Sequence, residues 1–141
     1  MSKTKLSKGN IITIEEYWYG INQLRKDLKY REWELLENKK NDENIGGGKT
    51  NRISDTTCNK ALILANDDKY QHLKKVISTV EDVYDWLDDD QKTIVHMRYW
   101  SDPRDCFEWS HVADKLYMST YRVLRKRNAL IDETARRLGW I

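Results

Sequence analysis

Leu73, Ile77, Val80, Tyr84 and Leu87 recur at steps of four, three, four and three residues. That spacing sets all five on one stripe of an α-helix, and it gives a strand, whose period is two, no consistent apolar face. Leu62, Ala65, Val76 and Val83 widen the stripe. An earlier series, Tyr17, Ile21, Leu24, Leu28 and Leu35, has helical spacing too. Thr13 and Glu16 stand as in a capping box, so this first helix is expected from about Ile14 to Asn38. Gly20 inside it costs about 1 kcal/mol relative to Ala. Trp18, Tyr30 and Trp33 extend its apolar surface beyond one stripe, more than a single partner helix covers.

Between the two series lies KKNDENIGGGKTNRISDTT, residues 39–57. Three consecutive glycines carry a large ordering cost and offer no side chains to offset it. The segment reads as a flexible linker that lets the two long helices fold back as an antiparallel hairpin. Gly48-Lys49-Thr50 is no phosphate-binding loop, because Glu43 stands where that motif needs its first glycine and no strand precedes it. Asn66-Asp67-Asp68 interrupts the second helix or starts a new one. Asp88-Asp89-Asp90 ends the apolar pattern and favours a fresh helix start.

From Trp109 to Leu130 the chain reads WSHVADKLYMSTYRVLRKRNAL. Val112, Ala113, Leu116 and Met118 are apolar. Ser119 then breaks the run, and Val123 and Leu130 resume it. The pattern predicts a short helix, a tight turn, and a second helix capped by Ser119. Ala113 allows close approach and Val123 points inward. Thr120, Tyr121, Arg122, Arg125 and Lys126 are left on the outer face. This is the layout of a helix-turn-helix, whose second helix enters the DNA major groove. Those five are the expected base-contacting residues, with arginine best suited to guanine. Trp109, Lys115, Ser119 and Arg127 are the expected backbone contacts, and Lys49, Asn51 and Arg52 of the linker are further candidates. From Tyr117 onward six basic residues face two acidic ones, although the whole chain carries only +2. Ile131, Ala135 and Leu138 carry the second helix to about Gly139, and Trp140-Ile141 is expected to fold back on the core or to bury against a partner.

The fold class that follows is all-α: an N-terminal long helical hairpin, then a helix-turn-helix. Residues 1–12 form a flexible basic arm, 13–87 the hairpin, and 88–141 the DNA-binding domain. Cys58 and Cys106 are too few for a disulfide framework or a zinc site. His72, His96 and His111 are scattered, and no nucleophile has a convincing base, so neither enzyme activity, a metal nor a cofactor is expected. No apolar run approaches membrane-spanning length and no signal-peptide core follows the basic N-terminus. No membrane partner and a cytoplasmic location are the corresponding expectations.

LDDDQKTIVHMRYW followed by a turn and WSHVADKLYMSTYRVLRKR resembles region 4 of bacterial sigma factors, with Arg98 and Tyr99 at its Arg-Tyr position. Over nearly the whole chain, DENIGGGKTNRIS, RYW and the terminal RRLGW resemble the RinA/ArpU family of phage late transcriptional regulators. The resemblance implies a sequence-specific activator of phage packaging and morphogenesis operons. It also implies double-stranded DNA at a late promoter as partner and the cytoplasm of a bacterial host as location. Activation adds host RNA polymerase, and the surplus apolar surface of the first helix adds a homodimer. A small terminase-like DNA-recognition protein of phage packaging is the alternative, and a helical interaction module without DNA is the third. Two departures are visible. The cysteine-containing turn before Trp109 lacks the common short glycine-containing link. Tyr117 stands in the turn where such motifs prefer glycine.

Overall fold

Ser7 caps the first helix: its Oγ accepts a hydrogen bond from the Asn10 backbone N–H at 3.0 Å at the start of α1, Lys8–Tyr19. The structure, a computed structural model, describes residues 6–45, 53–102 and 107–141. The expected capping box at Thr13 does not form. Thr13 lies inside α1 and its Oγ1 donates to the Gly9 carbonyl at 2.9 Å. Residues 8–12 of the expected arm therefore belong to a helix.

The expected single helix from Ile14 to Asn38 is instead two. Gly20 ends α1, with its N–H on the Glu16 carbonyl at 2.9 Å, and α2 runs Ile21–Ile45. A Cβ on Gly20 would stand 3.2 Å from that same carbonyl oxygen, so the tight approach is made where no side chain intrudes. The break separates two fates. Ile14, Trp18 and Ile21 are buried, while Tyr30 and Trp33 are more than half exposed.

α3 covers Ile53–Asn66 and α4 covers Asp68–Trp86. Asp67 makes the break between them, as one reading of Asn66-Asp67-Asp68 anticipates. Its Oδ2 accepts from the Tyr70 N–H at 2.8 Å. α5, Asp89–Ile94, carries a full capping box in which Asp88 Oδ1 accepts from the Gln91 N–H and Gln91 Oε1 accepts from the Asp88 N–H. It runs into a π-helical turn, Val95–Tyr99. α6 is Trp109–Leu116 and α7 is Thr120–Leu138. The chain is all-α, and no strand occurs among the described residues.

The chain divides into two compact units, Asn22–Ile77 and the pair Met1–Ile21 with Ser78–Ile141. In the first, Arg31 grips Asp67 bidentately, Nε to Oδ2 at 3.0 Å and Nη2 to Oδ1 at 2.6 Å, and also reaches Glu34. The hydrogen bond from Arg31 holds the Asp67 carboxyl below its ordinary range, helped by the Tyr70 N–H. Among its described residues, Tyr70, Leu73, Val76 and Ile77 are buried and apolar.

The second unit has α1 packed on α7 and on the π-helical turn. Trp18 is fully buried and its Nε1 donates to Thr134 Oγ1 at 3.2 Å. The Trp100 indole stacks on Trp18 and donates to the Trp18 carbonyl at 2.8 Å. Tyr84 stacks on the Trp100 ring in turn. A further cluster joins Ile94, Val112, Ala113 and Val123, with Met97, Phe107, Leu116 and Met118 around it. Val112, Ala113 and Val123 are buried there, while Leu116, which the same spacing places at the helix crossing, is only partly buried. α7 ends at Leu138 with Gly139 at φ 84°, and the Trp140 ring returns edge-on to Tyr17. No described helix is long and apolar enough to cross a membrane.

Candidate nucleic-acid interface

The amphipathic pattern of α7 decides what it presents. Val123, Leu130, Ile131, Thr134 and Ala135 are buried, so the opposite face is turned outward. Ser119 fixes where that helix starts: its Oγ accepts from the Arg122 N–H at 3.1 Å. Thr120, Arg122 and Arg125 are exposed, and Tyr121 is 71% exposed. The Arg125 guanidinium lies 5.8 Å from the Tyr121 ring centroid. Among the described residues, neither Arg122 nor Arg125 makes an ion pair. Two guanidiniums on one helix face thus keep their donors for a ligand.

The other expected contacts are placed differently. Lys126 Nζ lies 3.1 Å from Asp88 Oδ2 and 3.7 Å from Asp90 Oδ2. Burial pushes the Asp88 carboxyl up, but hydrogen bonds from the Gln91 N–H and from Lys126 outweigh it and hold the group low. The charge of Lys126 is therefore largely offset within the fold. Arg127 turns inward, with Nη1 2.9 Å from Glu15 Oε2, and that carboxylate also accepts from the Tyr99 hydroxyl. Burial, and then this carboxylate, push the Tyr99 hydroxyl far above its ordinary range, so it stays a proton donor. Trp109 is half-buried between guanidiniums, 4.8 Å from Arg98 and 5.4 Å from Arg127. Glu15, Tyr99, Arg127 and Trp109 form a clasp across α1, the π-helical turn, α7 and α6. Lys115 is exposed near the end of α6. Lys49, Asn51 and Arg52 lie outside the described residues.

The turn itself carries strain. Tyr117 takes φ 55°, the left-handed region, and is the one non-glycine residue with positive φ among the described residues. Its N–H bonds the Asp114 carbonyl at 3.2 Å, and the Met118 N–H bonds the Ala113 carbonyl at 3.1 Å. This Schellman arrangement recurs at the end of α7, where Gly139 fills the left-handed position. Tyr117 is 95% exposed, so no packing compensates it. A left-handed L-residue costs about 1–2 kcal/mol, and glycine gives back about half of that through the freer unfolded chain. Tyr117→Gly is expected to raise the melting temperature by a few degrees in a thermal scan. A lower melting temperature would show that the ring makes contacts that outweigh its backbone strain.

Trp86, absent from the expected contacts, also borders this face. It is half-exposed at the end of α4 and lines an open cleft with Asp88, Gln91, Arg122, Arg125, Lys126 and Ala129. Its signal in the sequence is its place off the seam, one residue before Leu87. No group of three or more His, Cys, Asp or Glu able to hold a metal occurs among the described residues. No curated protein and no solved structure matches the chain. A family model described as "Protein of unknown function (DUF722)" matches residues 5–136, and the chain belongs to that family.

Proposed function

We propose that this protein is a sequence-specific double-stranded DNA-binding activator of phage late genes, acting in the cytoplasm of a bacterial host. The observation that carries the DNA part is the outer face of α7. It has exposed Arg122 and Arg125 without ion-pair partners among the described residues, on a helix capped by Ser119 and anchored by buried Val123. An α-helix of that kind fits the major groove, where arginine reads guanine O6 and N7 with two parallel hydrogen bonds. Lys126 and Arg127, tied to Asp88 and Glu15, contribute less to reading than their sequence positions suggest. The late-gene part, with host RNA polymerase as partner, rests on the resemblance of DENIGGGKTNRIS, RYW and RRLGW to the RinA/ArpU regulators.

Selection of bound duplexes from a random library, followed by run-off transcription from the selected site with bacterial RNA polymerase, tests both parts. A selected site with two-fold symmetry marks a homodimer, and an unsymmetrical one marks a single reader. On the selected site Arg125→Ala is expected to cost about 1–3 kcal/mol, and much less on random duplex. Equal losses on both would make Arg125 a phosphate contact. A library that yields no enriched sequence would remove the sequence-specific reading, and bound DNA without added transcript would remove the activator.

A further inference from the structure

Trp86 is packed over only half of its surface. Val80, Val83 and Leu87 of the same stretch are buried, while the Trp86 ring is half in solvent. It forms one wall of an open cleft of about 670 Å3 whose other wall is α7. The polar groups of the cleft are unequal. Gln91 is spent, with Nε2 on the Lys126 carbonyl and Oε1 on the Asp88 N–H. Lys126 and Asp88 offset each other. The chemistry left to a ligand is an indole face and the guanidiniums of Arg122 and Arg125.

That combination takes an anion carried on a flat or apolar body. A B-form major groove is about 12 Å wide, and a helix with its side chains is about 10–12 Å across. A helix seated in the groove therefore brings the two backbone rims against whatever flanks it. Along α7 the flanking wall on this side is Trp86. We propose that Trp86 is a DNA-contacting residue, and that the cleft between it and α7 receives the sugar–phosphate backbone of one strand. Arg122, beside the cleft, then meets a phosphate and leaves the reading of guanine to Arg125, and the indole packs on the adjoining deoxyribose. The inference rests on the DNA-binding reading of α7 and extends it to α4, a helix outside the expected reading unit.

The test uses the full chain and a fluorescently labelled random-sequence duplex at low salt, read by anisotropy, with each variant's melting curve taken alongside. Trp86→Ala is expected to weaken binding about five- to tenfold, at the lower end of what one aromatic contact to nucleic acid supplies. The salt dependence should be unchanged, because no charge is removed. Trp86→Phe is expected to keep most of the affinity, and Trp86→Glu to lose more than Trp86→Ala by setting a carboxylate against phosphate. Because half of the ring is buried, Trp86→Ala and Trp86→Glu are expected to melt somewhat below the wild type, and binding is compared at a temperature where every variant is folded. Arg122→Ala combined with Arg125→Ala serves as the reference. If that pair loses affinity and the folded Trp86 variants bind as wild type, the cleft belongs to something other than DNA and the inference falls alone. If the arginine pair binds as wild type too, the reading of α7 falls with it.

Discussion

Trp18→Ala is expected to destabilise the unit built from α1 and the C-terminal helices by about 3–5 kcal/mol, the range for deleting a large buried aromatic ring. Trp18 has no exposed surface. It touches both halves of its unit, stacking on Trp100 and donating to Thr134 Oγ1 across 116 positions of sequence. Truncation leaves a cavity between α1 and α7 and deprives Trp100 of one of its ring partners. The polar losses are smaller. Thr134 Oγ1 still donates to the Leu130 carbonyl, and the Trp18 main-chain carbonyl still accepts from Trp100. Packing, not hydrogen bonding, therefore dominates. Trp18→Phe separates the two, since it keeps a ring and removes the N–H, and is expected to cost less than half as much. Against a total stability of about 5–15 kcal/mol for a domain, the alanine variant should show partial unfolding near physiological temperature. Chemical denaturation followed by circular dichroism measures it. A midpoint equal to that of the wild type would show that α1 does not dock on α7 in solution.

Trp18 also marks the limit of what spacing reveals. Its helical periodicity is plain, and so is the all-α class. The face it takes is not, because Tyr17, Ile21 and Leu24 define an equally good stripe through a helix drawn straight across Gly20. The break at Gly20 buries Ile14 and Trp18 with Ile21 in place of Tyr17 and Leu24, and that choice is made by α7, more than a hundred residues away. Local signals fared better wherever the physics is local. Ser119 caps α7, Gly139 closes it, and Asp88 opens α5 through contacts within three residues. The basic face of α7 divides along the same line. Arg122, Arg125, Lys126 and Arg127 look alike in sequence, but Glu15 and Asp88 claim the last two through contacts that span 112 and 38 positions. No periodicity encodes which cation finds a carboxylate. Trp86 is the converse case: its exposure is legible from the seam it misses, but its neighbours Arg122 and Arg125 are set by the docking of α5 against α7.

Val123→Asp is expected to abolish the packing of α6 on α7. Val123 is fully buried in a cluster with Ile94, Val112 and Ala113, all of them apolar. The four buried members of that cluster offer a carboxylate no donor side chain, and of the residues packed around them only Trp109 carries an N–H. An unpaired buried charge costs well beyond the 1–3 kcal/mol of an unsatisfied neutral group. Position 123 lies near the N-terminus of α7, where a helix favours negative charge by about 0.3–1 kcal/mol. That is too little to offset the burial. The group escapes most of the penalty by protonating, which means that its folded-state pKa rises above the unfolded value of about 3.9. The sign follows from linkage. The defect is greatest at neutral pH, where the unfolded chain is ionised, and shrinks as pH falls toward the unfolded pKa. Relative to the wild type, the variant should therefore recover part of its stability between pH 7 and pH 4.5. Val123→Thr, nearly the same shape with a neutral hydroxyl, should cost about 1–3 kcal/mol without that pH dependence. Random-duplex binding should vanish with the fold in the aspartate variant and persist in the threonine variant, because Val123 itself faces away from the exposed arginines. Paired thermal scans of the three proteins at pH 7 and pH 4.5 decide the matter. Wild-type melting of Val123→Asp at neutral pH would mean that this side chain reaches water, and that the outer face assigned to Arg122 and Arg125 must be redrawn.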